Sequence, residues 1–270
     1  MIARRLLLSA AFAAGLAVIA ACSPGADKAD AGDSLTVAAT AVPHAEILEF
    51  IKPTMAEQGV DLRVRVFNDY VQPNMVVDQG QADANYFQTG PYLEDFNATR
   101  GTKLKIVAGV HVEPFGAYSR RWKSLGEIPQ GATVAIPNDP STIGRSLLLL
   151  HRSGVITLKD PQNELSTLKD IAANPKGLKF RELEAPALPR VLDQVDMALI
   201  NTNYALDAGL NPTRDALAIE SKDSPYVNFL VAREDRASDP RILKLAETLR
   251  SPRVKAFIEE KYKGAVLPAF

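Results

Sequence analysis

The chain has 270 residues, with 31 lysines and arginines against 32 aspartates and glutamates, a net charge of −1 and a single cysteine. Charge that is near zero and mixed in sign argues against nucleic acid as a partner, and a lone thiol excludes a disulfide framework. With 23% charged residues the chain reads as an ordinary soluble globule, long enough to bury one large core or two smaller ones.

The first element ends at that cysteine. Arg4 and Arg5 open the chain, an apolar run extends from Leu6 to Ala20, and Ile19-Ala20-Ala21 leads into Cys22. A charged start, a short apolar core and a small-residue exit form a secretory signal, and with cysteine next it resembles a lipobox. The run is short for a membrane span, which needs ~20 residues. Residues 1–21 are therefore expected to be removed and Cys22 to carry acyl chains, as a periplasm-facing lipoprotein of a bacterial envelope does. Cleavage leaves 249 residues with 29 basic and 32 acidic side chains. Residues 22–34 contain no large apolar side chain and read as a flexible tether.

Short β-branched runs follow, each with a polar, turn-rich exit. Leu35–Ala39 leads to Pro43 and His44, Leu62–Phe67 to Asn68-Asp69-Tyr70, and Lys105–Ala108 toward His111 and Glu113. Thr133–Ile136 leads to Pro137-Asn138-Asp139-Pro140, and Met197–Ile200 to Asn201-Thr202-Asn203-Tyr204. These are predicted strands. Helical patterns lie between them at Ala45–Gln58, with a kink or split expected at Pro53, at Ser141–His151, at Leu188–Gln194 and at Pro240–Leu249. The alternation predicts an α/β fold with largely parallel sheets, whose ligands collect at the carboxyl ends of the strands, where the polar exits lie.

The strongest local signal is Asn138–Leu150. Pro140 holds Asp139 extended, Ser141 is a predicted N-cap, and Arg145 falls about one turn inside the helix. The helix dipole opposes a cation there, unless an anion joins it. Arg145 thus meets a ligand carboxylate, pairs with a protein carboxylate such as Asp139, or points into water. Asn201, Asn203 and Asn228 offer donors and acceptors together, which suits a zwitterion, or else they hold their own turns. Aromatic residues cluster at Tyr70 and along Tyr86-Phe87-Gln88-Thr89-Gly90-Pro91-Tyr92, as a wall for an apolar ligand group or as core. Phe96 and Phe180 are assigned to the core. Catalytic motifs are lacking: there is no Gly-x-Ser-x-Gly elbow and no His-Glu-x-x-His helix, and Ser166–Lys169 matches Ser-x-x-Lys without companion triplets. The three histidines are far apart in sequence, with no pair at metal-ligand spacing. No enzyme, metal or cofactor is expected.

An ordered set of segments carries a resemblance. It comprises Pro43-His44-Ala45-Glu46-Ile47-Leu48, Phe67–Tyr70, Gly80 with Asp83-Ala84-Asn85, Phe87-Gln88 and Pro91-Tyr92-Leu93. It continues through Glu113-Pro114, Tyr118-Ser119, Pro137–Leu150, Leu183–Pro186, Leu188-Pro189-Arg190, Ile200-Asn201-Thr202 with Tyr204, and Glu220–Asn228. From Leu35 to Phe270 the chain resembles the methionine-binding lipoproteins of the MetQ/NlpA type, substrate-binding components of ABC importers. The resemblance implies a type II periplasmic binding fold with two α/β lobes joined by two crossover strands. It implies lobe I at residues 35–113 plus 226–270 and lobe II at residues 114–225, crossing near Glu113–Tyr118 and returning near Asp223–Asn228. It implies Arg145 for a ligand carboxylate, Asn201 and Asn228 for the amino-acid head group, and Tyr70, Phe87 and Tyr86 around the side-chain pocket. Where the family reads Phe-Gln-His, this chain has Thr89 followed by Gly90, which leaves the pocket roomier and differently polar. The implied ligand is an amino acid, L-methionine first. The alternatives are another apolar amino acid, D-methionine or a methionine dipeptide, or an envelope adhesin without transport. The implied partners are an importer permease with its ATPase and the membrane through the lipid, with the binding protein a monomer.

Overall fold

The computed structural model describes residues 33–221 and 224–270. The expected signal peptide, Cys22 and the tether as far as residue 32 lie outside the described residues, as does Asp223 of the expected return crossing. Ser34, assigned to the tether, already belongs to the first strand.

The chain opens with β1 (Ser34–Thr40), α1 (Glu46–Glu57), β2 (Asp61–Phe67), α2 (Gln72–Asp78), β3 (Ala84–Thr89), α3 (Gly90–Arg100) and β4 (Leu104–Val112). Beyond Glu113–Phe115 come β5 (Gly116–Tyr118), β6 (Thr133–Pro137), α4 (Pro140–Arg152), β7 (Thr157–Leu158), β8 (Ile171–Ala173) and β9 (Lys179–Leu183). β10 (Met197–Ile200), α5 (Thr202–Asp207), α6 (Pro212–Asp215) and β11 (Ala216–Ile219) complete this part, and β12 (Val227–Arg233), α7 (Pro240–Leu249), α8 (Pro252–Tyr262) and β13 (Leu267–Pro268) close the chain. Two sheets result, in the orders β13-β4-β12-β3-β1-β2 and β11-β5-β10-β6-β9. The chain leaves the first sheet after β4 and returns to it with β12, so two segments, Glu113–Phe115 and the stretch after β11, join two α/β lobes. This is the two-lobed type II binding architecture.

Both sheets are covered on both faces, which is why their strands read as near-continuous apolar runs. Leu35, Val37 and Ala39 of β1 pack with Ile47, Leu48, Ile51 and Met55 of α1 and with α7 and α8, while Ala38 turns to the opposite core with Val76, Val77 and Leu93. In the second lobe Val134 and Ile136 pack under Leu147–Leu150 of α4, and Ala135 faces Leu188 and Leu192.

Three sequence-based expectations change. The sheets are mixed: β1–β2, β1–β3, β6–β9 and β6–β10 are parallel, but β12 runs antiparallel to both β3 and β4, and β5 antiparallel to β10 and β11. Two of the reversed strands, β5 and β12, follow a crossing between the lobes, and the third, β13, runs antiparallel to β4 at the edge of the first sheet. Pro53 lies within one continuous α1. Its side chain faces solvent, and the break comes upstream at the non-helical Val42. The stretch expected to be helical from Leu188 is a 3-10 turn over Ala185–Val191, because Pro189 supplies no N–H for an α-helical bond. Among the described residues no helix is long and apolar enough to cross a membrane.

Candidate functional site

A cavity lies between the lobes. The carboxyl ends of five strands supply its walls: Tyr70 after β2, Phe87 and Thr89 at the end of β3, Glu113 after β4, the first turn of α4 after β6, and Asn201–Asn203 after β10. Asn228 and Tyr226 come from the start of the reversed β12.

The aromatic wall belongs mainly to the first lobe. Tyr70 packs against Phe87, Tyr92 and Tyr204 at ring separations of 5.8, 5.7 and 5.0 Å. The Tyr92 hydroxyl donates to the Tyr70 carbonyl at 2.9 Å, and the Tyr70 hydroxyl crosses the cleft to Asn203 Oδ1 at 2.6 Å. Phe87 reaches the cavity through a step in the backbone. Phe229 of β12 pairs with Gln88 and Leu230 pairs with Tyr86, which leaves Phe87 as the extra residue of a β-bulge. Buried amides fix the step: Asn74 Nδ2 donates to Gln88 Oε1 at 2.9 Å, and Gln88 Nε2 donates to Asn85 Oδ1 at 2.8 Å. Tyr86, expected beside the side-chain pocket, does not line it. It points to the other side of β3, fully buried, with its hydroxyl on His111 Nδ1 and its ring edge-on to His44. Thr89 does line the cavity, and its side chain makes no capping bond to α3.

The polar side is built around α4. Asp139, not Ser141, caps this helix: its carboxylate accepts the Thr142 N–H at 2.9 Å and the Ser141 hydroxyl at 2.9 Å. Pro140 keeps Asp139 extended at φ −85°, ψ 142°, as expected. Gly144 lets the helix lie against the next loop, since a Cβ there would sit 1.9 Å from the Glu164 carbonyl oxygen. Arg145, 6% exposed, is gripped in a fork by Glu220, with Nε–Oε1 at 2.8 Å and Nη2–Oε2 at 2.5 Å. Nη2 also donates to the Glu113 carbonyl at 2.8 Å. The Tyr226 ring covers the guanidinium at 4.2 Å, with Phe115 at 5.1 Å. Of the two protein carboxylates in question, then, Glu220 and not Asp139 holds Arg145. Among the described residues Nη1 has no partner.

A buried chain of hydrogen bonds lines the junction of the lobes. His44 Nε2 faces Asn228 Oδ1 at 3.0 Å and Glu113 Oε1 at 3.3 Å, and His111 Nε2 faces the same Glu113 oxygen at 2.8 Å. Both Nε2 atoms therefore carry hydrogen, and the Nδ1 atoms accept from the hydroxyls of Thr40 and Tyr86. Burial pulls His44 down to about 4 and His111 to about 3, so both imidazoles are neutral at physiological pH. Burial pushes the Glu113 carboxyl above its ordinary range, although His44, Arg145 and the Asn203 amide pull it back in part. The three side chains bring one donor atom each within 4.8 Å of one another. A metal there would displace bonds that already satisfy all three, so the cluster is complete as a hydrogen-bond network.

Two buried polar atoms of the cavity wall lack a partner among the described residues: Asn201 Oδ1 and the Tyr226 hydroxyl. With Arg145 Nη1 they leave one acceptor and two donors on residues that line the same cavity. Asn228 keeps its Nδ2 donors, because His44 occupies its oxygen. The structure thus gathers Arg145, Asn201, Asn228, Tyr70, Phe87 and Thr89 around one cavity, and leaves Tyr86 out. It adds Glu113, Tyr226 and Glu220. Only Glu113 had a local signal, a carboxylate directly after a buried strand.

This is the cleft of a two-lobed small-molecule binding protein, with polar groups suited to a compact zwitterion at one end and aromatic rings at the other. The chain belongs to the NlpA lipoprotein family, which it matches over residues 35–270. It is 39% identical to the methionine-binding lipoprotein MetQ of Bacillus subtilis, over 98% of both chains. Its structure resembles a nutrient-binding protein from Burkholderia cenocepacia bound to methionine, at a TM-score of 0.84 and 44% identity, over 87% of this chain and 100% of that one. It also resembles a periplasmic substrate-binding protein of an ABC transporter from Coxiella burnetii, at a TM-score of 0.83 and 40% identity, over 87% of this chain and 100% of that one.

Proposed function

We propose that this protein captures an α-amino acid, L-methionine first, in the inter-lobe cavity and delivers it to an ABC importer. The ligand carboxylate takes Arg145 Nη1, the Tyr226 hydroxyl and Asn228 Nδ2. The ammonium takes Asn201 Oδ1 and the Glu113 carboxylate, and the side chain lies among Tyr70, Phe87, Tyr92 and Thr89. The observation that carries this reading is the set of unpartnered groups in a buried wall, since burying polar atoms without bonds is costly and a zwitterion satisfies them together. The ammonium also supplies a counter-charge for Glu113, which burial disfavours as an anion.

Binding is a bridging event without covalent chemistry. Residues 35–113 with 226–270 form one body and residues 114–225 the other. The ligand touches both, favours the closed arrangement, and the permease with its ATPase reads that arrangement. The binding protein acts as a monomer anchored through acylated Cys22. The relatives carry the names of binding proteins, and no enzymatic step is assigned.

Calorimetric titration against a panel of L- and D-amino acids and methionine dipeptides tests the assignment. Tightest binding is expected for L-methionine. A tighter non-sulfur ligand moves the side-chain assignment, and no binding of any amino acid removes the reading in favour of an envelope interaction role.

A further inference from the structure

We propose that Glu220 is a positioning residue: it aims Arg145 at the ligand carboxylate, cancels its charge, and ties it to both segments that join the lobes. The inference rests on the amino-acid reading above. Glu220 occupies one edge of the guanidinium in a fork, on Nε and Nη2, at 2.8 and 2.5 Å. Rings near the guanidinium limit its rotation. Among the described residues Nε and Nη2 are taken and Nη1 is left for a ligand, so the direction of approach is set before the ligand arrives.

The same carboxylate reaches both connections. Glu220 Oε2 accepts the Phe115 N–H at 3.1 Å on the outgoing segment and the Ser224 hydroxyl at 3.2 Å on the returning one. The backbones meet there as well, with the Glu220 N–H donating to the Phe115 carbonyl at 2.9 Å. A carboxylate 9% exposed, holding one arginine and two chain crossings, is therefore common to the ligand clamp and to the hinge.

Charge gives the proposal a distinctive readout. Arg145 and Glu220 cancel, so the clamp recognises a carboxylate by donor direction and does not attract anions by net charge. Removing the Glu220 charge leaves the direction loose and the guanidinium uncompensated. Zwitterion binding then weakens, while a ligand with a carboxylate and no ammonium gains relative to it.

The experiment measures dissociation constants of L-methionine and of 4-(methylthio)butanoate, which is methionine without its ammonium, for the unaltered protein, Glu220→Gln and Glu220→Asp. In E220Q methionine is expected to bind roughly tenfold or more weakly, the loss of one charge-assisted hydrogen bond. The preference for methionine over the butanoate is expected to fall by about tenfold, from the uncompensated charge. E220D keeps the charge but not the reach, so both ligands weaken and the preference stays. If E220Q does not fold, E220D with weakened binding at an unaltered thermal midpoint supports the proposal, and E220D with unaltered affinity, or with binding that weakens only as the midpoint falls, overturns it. If both variants weaken both ligands in the same proportion, Glu220 serves stability only and the proposal fails. Methionine binding by the unaltered protein alongside such a failure leaves the amino-acid reading standing, whereas no methionine binding at all removes both.

Discussion

Tyr226→Phe separates what the cleft does for a ligand from what it does for the fold. The Tyr226 hydroxyl is buried without a protein partner, and burial pushes its pKa up to about 12, so it remains a donor at any physiological pH. Deleting it spares the empty protein a desolvation cost of order 1 kcal/mol. For a chain of this size that raises the thermal midpoint by about 2–4 °C. The ring stays over Arg145, so the guanidinium keeps its cover. In the complex the same hydroxyl donates to a carboxylate, a bond worth about 1.5–3 kcal/mol, so the dissociation constant is expected to rise roughly 10- to 150-fold. Tyr118→Phe is the control: its hydroxyl is also buried and unpartnered, but it sits in the core of the second lobe with Leu188 and Leu192. That variant is expected to gain stability with affinity unchanged. Thermal melts without ligand and calorimetric titration with L-methionine read both quantities. Unaltered affinity in Tyr226→Phe, or a midpoint that falls along with affinity, would refute the reasoning.

Arg145→Met is expected to abolish measurable methionine binding and, by leaving Glu220 buried and unpaired, to cost about 3–5 kcal/mol in a urea melt. The double variant Arg145→Met/Glu220→Met recovers stability but not binding. Stability is expected to decline as pH falls from 6.5 toward 4. His44 and His111 titrate at about 4 and 3 in the fold, so the unfolded chain takes up protons first. Glu113, with its raised pKa, opposes this trend above its ordinary value, and His44→Gln makes the pH slope of the thermal midpoint shallower. Gly144→Ala forces the Glu164 backbone away from α4, and a loss of more than about 1–3 kcal/mol in the same melt is expected.

Much of the scaffold was legible because it obeys local rules. The runs at Leu35–Ala39, Thr133–Ile136 and Met197–Ile200 are central strands buried on both faces, where every position can be apolar, and Leu62–Phe67 is an edge strand whose Arg63 and Arg65 alternate with apolar residues. Asp139-Pro140 opening α4 was equally local, although Asp139 took the capping role expected of Ser141. What stayed hidden depends on distant partners. His111 and Glu113 are near in sequence, but His44 reaches Glu113 from the segment after β1, and Asn228 joins them only because β12 comes back between β3 and β4. Glu220 follows a short edge strand and has no neighbour in sequence that hints at Arg145. The aromatic run Tyr86-Phe87 was ambiguous in principle: strand alternation separates the two rings, but the extra residue that decides which one reaches the cleft leaves no mark in composition.

That irregularity at Phe87 limits how the ligand range of this protein can change. The ring owes its place to chain geometry held by Asn74, Asn85 and Gln88, so swapping side chains at position 86 alters the interior of the first lobe and never the guest. Removing one residue from the strand would instead restore regular pairing and rotate everything after it, turning Gln88 and Thr89 to opposite sides at once. Selectivity can therefore drift by single replacements at Thr89, whereas remodelling the aromatic floor requires a coordinated deletion together with new partners for three carboxamides.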